Sequence, residues 1–364
     1  MPSAPVDNSG DFLHYEDSGP PSGVETYKTL VIIHGTFYNG GIFQHLLPHA
    51  ETHSLRIVRL NQRDYAGSSL YTPNDISLLE SGPESQLQFL KDRGKEYAAF
   101  LKWFIESEHI PLFEDGKGGI AVMSWSSGNC FTVPFFGLAN EWYDQDTKDL
   151  LGKYLCTFII FDSPYYPFGL PLPKIEDIWS PMVDTSLSPA EKAAKFPAWN
   201  ASYYTHATEI LSSITATDLS DMCSREEFIQ GMTKEPDTEP TYTSSRIPPE
   251  VTKAISNPEA VPRANQKFMV GIDRHVYHAG LEKLIFEKSH VWPKVKIEVA
   301  VNGKSTGYCV GAAWELKRWM LERSTNSSLD NLAREVNFRV LKDYNHYPHW
   351  DYPEELMKII GDIA

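Results

Sequence analysis

The chain has 364 residues, 41% of them hydrophobic, and a formal net charge of −15. This length supplies a large core with room for one inserted domain. The acidity, the lack of a basic stripe and the lack of a membrane-length apolar run set aside nucleic-acid binding and membrane-spanning classes.

The opening Met1-Pro2-Ser3-Ala4-Pro5 has neither the basic nor the apolar region of a secretory signal. Residues 11–17 read as an early edge strand, followed by the turn Gly19-Pro20-Pro21-Ser22-Gly23. Residues 29–33 (Thr-Leu-Val-Ile-Ile) are a β-branched apolar run, the pattern of a parallel strand buried on both faces. That run ends in His34-Gly35-Thr36-Phe37. A second buried strand, residues 55–60, ends in a turn containing Arg63-Asp64-Tyr65-Ala66-Gly67-Ser68. Residues 97–105 read as a helix packing on the sheet.

The apolar run 119–123 leads into Ser124-Trp125-Ser126-Ser127-Gly128, and a helix-compatible segment starts near Asn129. A strand, a tight turn around a central Ser and a helix form the context of a nucleophile elbow. Its flanking positions must be small, and here they are Ser124 and Gly128, the first departing from the usual Gly. Such a turn lifts the Ser126 hydroxyl clear of the sheet and sets the next N–H at a helix N-terminus.

Residues 156–161 form another buried strand, capped by Asp162. Residues 165–290 change texture: rich in Pro and aromatics, they show helical patterns at 203–214, 225–232 and 274–287 and no strand alternation. Residues 234–249 read as a mobile polar connector. Strand patterns resume at 295–301 and 337–341, and the chain continues into Asn345-His346-Tyr347-Pro348-His349-Trp350-Asp351-Tyr352-Pro353-Glu354 and a terminal helix.

The His-Gly turn, the Arg63–Ser68 turn and the elbow follow three successive strands in the order that resembles the α/β-hydrolase superfamily, in its serine-nucleophile branch with a helical cap. The Arg63–Ser68 turn looks like a variant of uncharacterised fungal members. The resemblance implies a mostly parallel eight-stranded sheet flanked by helices. It implies a core of residues 1–164 and 291–364 and an inserted, mainly helical cap of residues 165–290. The segment from Asn345 is similar to the family's base-bearing segment, which puts the base at His346 in preference to His349. The family's acid usually follows the seventh strand, yet residues 302–309 contain no carboxylate. Some branches carry it after the sixth strand, where Asp162 stands. The expected triad is therefore Ser126, His346 and Asp162, with Asp162 fixing the imidazole tautomer. The oxyanion hole would combine the Ser127 N–H with that of Thr36 or Phe37, and His34 would hold its turn by hydrogen bonds.

Ser rather than Asp at the elbow argues for acyl transfer and against the aspartyl-ester chemistry of epoxide hydrolases and haloalkane dehalogenases. The expected activity is hydrolysis of a carboxylic ester or lactone, then thioester, of a medium-sized apolar or aromatic small molecule. Tyr165, Tyr166, Phe168, Trp179, Trp199, Tyr203 and Tyr204 make the cap region aromatic. Two rival readings are a non-hydrolytic acyltransferase or a cyclisation or condensation catalyst of secondary metabolism, and a ligand-binding member without turnover. The scattered Cys130, Cys156, Cys223 and Cys309 have no metal-ligand spacing, so neither metal nor cofactor is expected and a reduced, cytoplasmic setting is. Sequons begin at Asn200 and Asn326 but matter only in a secreted chain. No oligomeric state follows from the sequence.

Overall fold

A computed structural model describes residues 2–7, 9–287, 290–325 and 334–364, so Asn326 lies outside the described residues. Eight strands form one sheet: β1 Ser3–Pro5, β2 Phe12–Asp17, β3 Lys28–Ile33, β4 Leu55–Leu60, β5 Ile120–Trp125, β6 Leu155–Phe161, β7 Lys296–Asn302 and β8 Val336–Leu341. Their order is β1-β2-β4-β3-β5-β6-β7-β8. β1 and β2 pair antiparallel, and β3 to β8 run parallel. Residues 11–17 are thus not the edge, because β1 lies outside β2.

The central strands β3, β5 and β6 are almost wholly apolar because both faces are covered. Val31, Ile33, Val58, Leu60, Val122, Phe158 and Ile160 face one helical layer, whereas Leu30, Ile32, Ile57, Met123, Trp125 and Ile159 face the other. The helices are α1 Pro73–Glu80, α2 Pro83–Glu108, α3 Asn129–Gly137, α4 Ala139–Trp142, α5 Gln145–Gly152, α6 Pro189–Ala201, α7 Thr208–Ile214, α8 Arg225–Gly231, α9 Pro249–Ile255, α10 Arg274–Phe286, α11 Gly307–Thr325, α12 Pro348–Asp351 and α13 Pro353–Ile363. Capping boxes start α6 (Ser188 with Glu191) and α8 (Ser224 with Glu227), as a Ser-x-x-Glu spacing dictates. α2 extends well beyond the nine residues expected, since Pro83 at its start and a long amphipathic run support 26.

Residues 165–290 hold no strand among the described residues. One expectation there changes. Helix α7 starts only at Thr208, because the preceding stretch is tied down instead: the His206 ring bonds the Ser305 carbonyl at 2.8 Å. α10 packs closely on α3, where a Cβ on Gly137 would stand 1.9 Å from the Gly280 carbonyl oxygen. No helix among the described residues is long and apolar enough to cross a membrane.

Candidate active site

All the candidate residues stand at the carboxyl ends of parallel strands, where an open α/β sheet presents its loops. Ser126 follows β5 directly with φ 57°, a left-handed conformation rare for a residue with a side chain. Space fixes the neighbours' sizes. A Cβ on Gly35 would come within 2.8 Å of Ser126 Cβ, and one on Gly128 within 2.6 Å of the His34 carbonyl oxygen. Asn129 braces the turn from below, donating to the carbonyls of Ser124 and Ser126 at 2.9 Å each. Trp125, fully buried, donates its indole N–H to the His346 carbonyl at 3.1 Å and packs its ring 4.7 Å from that imidazole.

Asp162 follows β6 with φ 45° and is fully buried. β7 separates β6 from β8, so the loops after these three strands lie side by side. Asp162 Oδ2 meets His346 Nδ1 at 2.5 Å. Its Oδ1 accepts the Asn302 N–H at 2.9 Å, and Oδ2 also accepts the Ser305 hydroxyl at 2.6 Å. Nε2 of His346 has no hydrogen-bond partner among the described residues. Ser305 therefore stands on the Nδ1 side of the ring, 3.4 Å from that atom. It fills the turn where sequence showed no carboxylate and helps hold the carboxylate supplied by the neighbouring strand.

His349 is elsewhere. It is buried under the elbow, with Phe43 at 4.4 Å and Trp125 at 4.7 Å between ring centroids, and neither ring nitrogen has a hydrogen-bond partner among the described residues. Burial, then the nearby His346 and His45, push its pKa well below the usual value. His34 bonds through both nitrogens, to the Gly35 carbonyl at 2.8 Å and from the Gln62 N–H at 3.0 Å, and burial lowers it to about 4. It is a neutral brace for its turn.

The Thr36 and Ser127 hydroxyls bond each other at 2.7 Å, joining the His-Gly turn to the elbow. Phe37 also has left-handed backbone, φ 78°, and its N–H donates to the Tyr65 hydroxyl at 3.1 Å. Tyr65 in turn donates to Asn265 at 2.6 Å. The Arg63 turn thereby reaches the site through Tyr65. Arg63 itself pairs with Asp11 and Glu96, anchoring the turn to the start of β2 and to α2. Sequence alone does not reveal Tyr65, Asn129 or Ser305, since each acts through a partner distant along the chain or through backbone.

Ser126 and Thr36 open onto a small cavity also walled by Tyr166, Ser180, Met182, Phe196, Trp199, Asn200, Met269, Thr306, Tyr308 and Cys309. Its volume of about 20 Å³ accommodates roughly one water. Donor atoms of Asp162, Cys309 and His346 lie within 4.8 Å of one another, the separation a metal ion would need. Burial, then the Asp162 charge, push the Cys309 thiol well up, and Nδ1 is engaged by Asp162. A protonated thiol is a poor metal ligand.

No protein family and no curated protein matches this chain in sequence. Among solved structures, a variant enzyme described for recognition and ring cleavage of the Pseudomonas quinolone signal matches 100% of this chain and 98% of its own, at 10% identity and TM-score 0.51. The fold is the α/β-hydrolase fold. An esterase from Thermogutta terrifontis (13% identity, TM-score 0.45, 100% and 96% of the two chains) and the thioesterase domain of the curacin biosynthetic pathway (13%, 0.46, 99% and 99%) are further structural neighbours. In this α/β-hydrolase fold the strand ends that carry Ser126, Asp162 and His346 are those of β5, β6 and β8.

Proposed function

We propose that this protein is a serine hydrolase that cleaves a carboxylic ester or lactone through an acyl-enzyme. One observation carries the reading: Ser126 faces a cavity from a left-handed elbow while Asp162 grips Nδ1 of His346 and leaves Nε2 without a partner. In the reaction Ser126 Oγ attacks the carbonyl carbon and its proton passes to Nε2. Asp162 stabilises the imidazolium. The tetrahedral oxyanion accepts hydrogen bonds from the N–H groups of Ser127 and Thr36, each contributing about 3 kcal/mol in such sites. Thr36 is favoured over Phe37 because the Phe37 amide already donates to Tyr65. Collapse expels the alcohol oxygen, which takes the proton from Nε2, and water repeats the sequence to release the acid.

Ser305 is the other serine beside the pair. Its hydroxyl donates to Asp162 and it does not line the cavity, so it supports the acid rather than attacks. We assign the cap to residues 165–290 with its last helix, α10, shared with the core layer. The walls Tyr166, Met182, Phe196, Trp199, Met269 and Tyr308 favour an apolar or aromatic substrate. The four free thiols fit a reducing, cytoplasmic setting.

Rapid-mixing kinetics on aryl esters, lactones and thioesters tests the proposal. A burst of leaving group, then steady turnover, lost in Ser126→Ala, is the expected result. A burst without turnover until a second nucleophile is added would mean acyl transfer. No burst with any of them, from folded protein, would leave ligand binding as the better reading.

A further inference from the structure

Outside the cavity lies a second, larger concavity on the surface of residues 165–290. It has a volume of about 640 Å³ and is lined by Trp179, Ala198, Trp199, Ser202, Tyr204 and Tyr242, with Lys234, Glu235 and Pro236 along one side. This is within the range of small-molecule sites, roughly 300–1,000 Å³. The cavity that holds Ser126 is far too small for any ester of the proposed kind. One residue is common to both linings, Trp199.

Trp199 is built to be such a partition. It is half-buried near the end of α6, two residues after Pro197, which withholds an N–H from the helix ladder. Its indole touches aromatic rings on both sides: Trp179 at 6.4 Å belongs to the outer groove, and Phe196 at 5.9 Å and Tyr308 at 6.1 Å belong to the inner cavity. Aromatic contacts of this kind, two edge-to-face and one tilted, are about 1 kcal/mol each, so they can be exchanged for contacts with a bound ring.

Resting on the serine hydrolase reading, we propose that the outer groove holds an uncharged aromatic ring system of the substrate, and that the Trp199 indole is the movable wall between that ring and Ser126. The groove's chemistry selects the ring. Trp179, Trp199, Tyr204 and Tyr242 offer flat apolar faces. Lys234, which donates to the Glu176 carbonyl, and Glu235 both line the groove, so its lining carries no net charge to select an ion. The net charge of −15 adds a further bias against anionic substrates. Opening at Trp199 would join groove and cavity into one channel, with the ring outside and the carbonyl at Ser126.

The test compares wild type, Trp199→Phe and Trp199→Ala, each verified as folded by near-ultraviolet circular dichroism. Cys309 lines the inner cavity, and at alkaline pH, where more of its raised thiol ionises, its modification by thiol reagents reads access without needing an activated serine. Methyl methanethiosulfonate and a naphthyl-bearing thiosulfonate are applied separately and the Cys309 peptide is followed by mass spectrometry. The expected result is a rise of about tenfold or more in the naphthyl rate for Trp199→Ala, an intermediate rise for Trp199→Phe, and a methyl rate within about threefold of wild type. Equal naphthyl rates in all three proteins, or equal acceleration of both reagents, would overturn the proposal. Labelling of Ser126 by small and naphthyl fluorophosphonates is run in parallel. Selective acceleration at Cys309 with no adduct at Ser126 would keep the channel and sink the hydrolase reading.

Discussion

Left-handed backbone at a residue with a Cβ costs about 1–2 kcal/mol, and Phe37, Ser126 and Asp162 all adopt it at the carboxyl ends of parallel strands. Such strain persists where the surroundings enforce it. Here Asn129 clamps the elbow, Asn302 and Ser305 hold the carboxylate, and Tyr65 holds the Phe37 amide. Ser305→Ala should therefore lower kcat by about tenfold with KM little changed, since Asp162 keeps its bonds to His346 and Asn302. A loss as large as that of Ser126→Ala would make Ser305 the attacking residue. At this scale the placement of Ser126, Asp162 and His346 at strand ends was legible, because each sits where a strand pattern meets a turn. Ser305 was hidden because a lone Ser in a turn carries no signal of its own, and it contributes only by bonding a carboxylate from the neighbouring strand.

Between elements, the loop that carries His346 is tied to the segment expected to be a mobile connector. Asp351 Oδ2 accepts from Tyr203 at 2.9 Å, Thr243 at 2.5 Å and Arg246 at 2.5 Å, while Asn345 donates to Thr243 at 2.8 Å. Thr243 is fully buried. Residues 234–249 looked solvated because their acidic partner lies more than a hundred residues away. Arg246→Ala should cost about 1–3 kcal/mol in denaturant unfolding and lower kcat severalfold by loosening His346. Unchanged stability and kcat would mean the contact does not position the base. The helix pair α3–α10 is a sharper case. Gly137→Ala places a methyl group 1.9 Å from a backbone oxygen, and the expected loss is about 3 kcal/mol or more. A midpoint equal to wild type would contradict the close approach. The sequence showed two helices there but not their contact, because a single Gly on each carries no periodic signal.

Over the whole molecule, the parallel sheet was legible strand by strand, since strands buried on both faces read as continuous apolar runs. The order of β1 and β2 was not, because three residues outside β2 give no pattern. Burial of two neutral imidazoles has a consequence for the entire fold. His34, at about 4, and His349, well below its usual value, stay unprotonated in the native state. The unfolded chain takes up those protons below about pH 6.5, so stability is undiminished above that value and falls as pH drops toward 4, by about 1.4 kcal/mol per pH unit for each histidine. His349→Phe, in a nest of aromatic rings, should flatten that fall in denaturation midpoints measured from pH 7 to 4. Parallel curves for the two proteins would refute the assignment of a buried neutral imidazole.

Ser126 is the proposed activated nucleophile. Intact mass after a small fluorophosphonate, on wild type, Ser126→Ala and Ser305→Ala, tests it most directly. One covalent adduct is expected on wild type and on Ser305→Ala, and none on Ser126→Ala. An adduct that survives in Ser126→Ala but disappears in Ser305→Ala, or no adduct on folded wild type, would contradict that role.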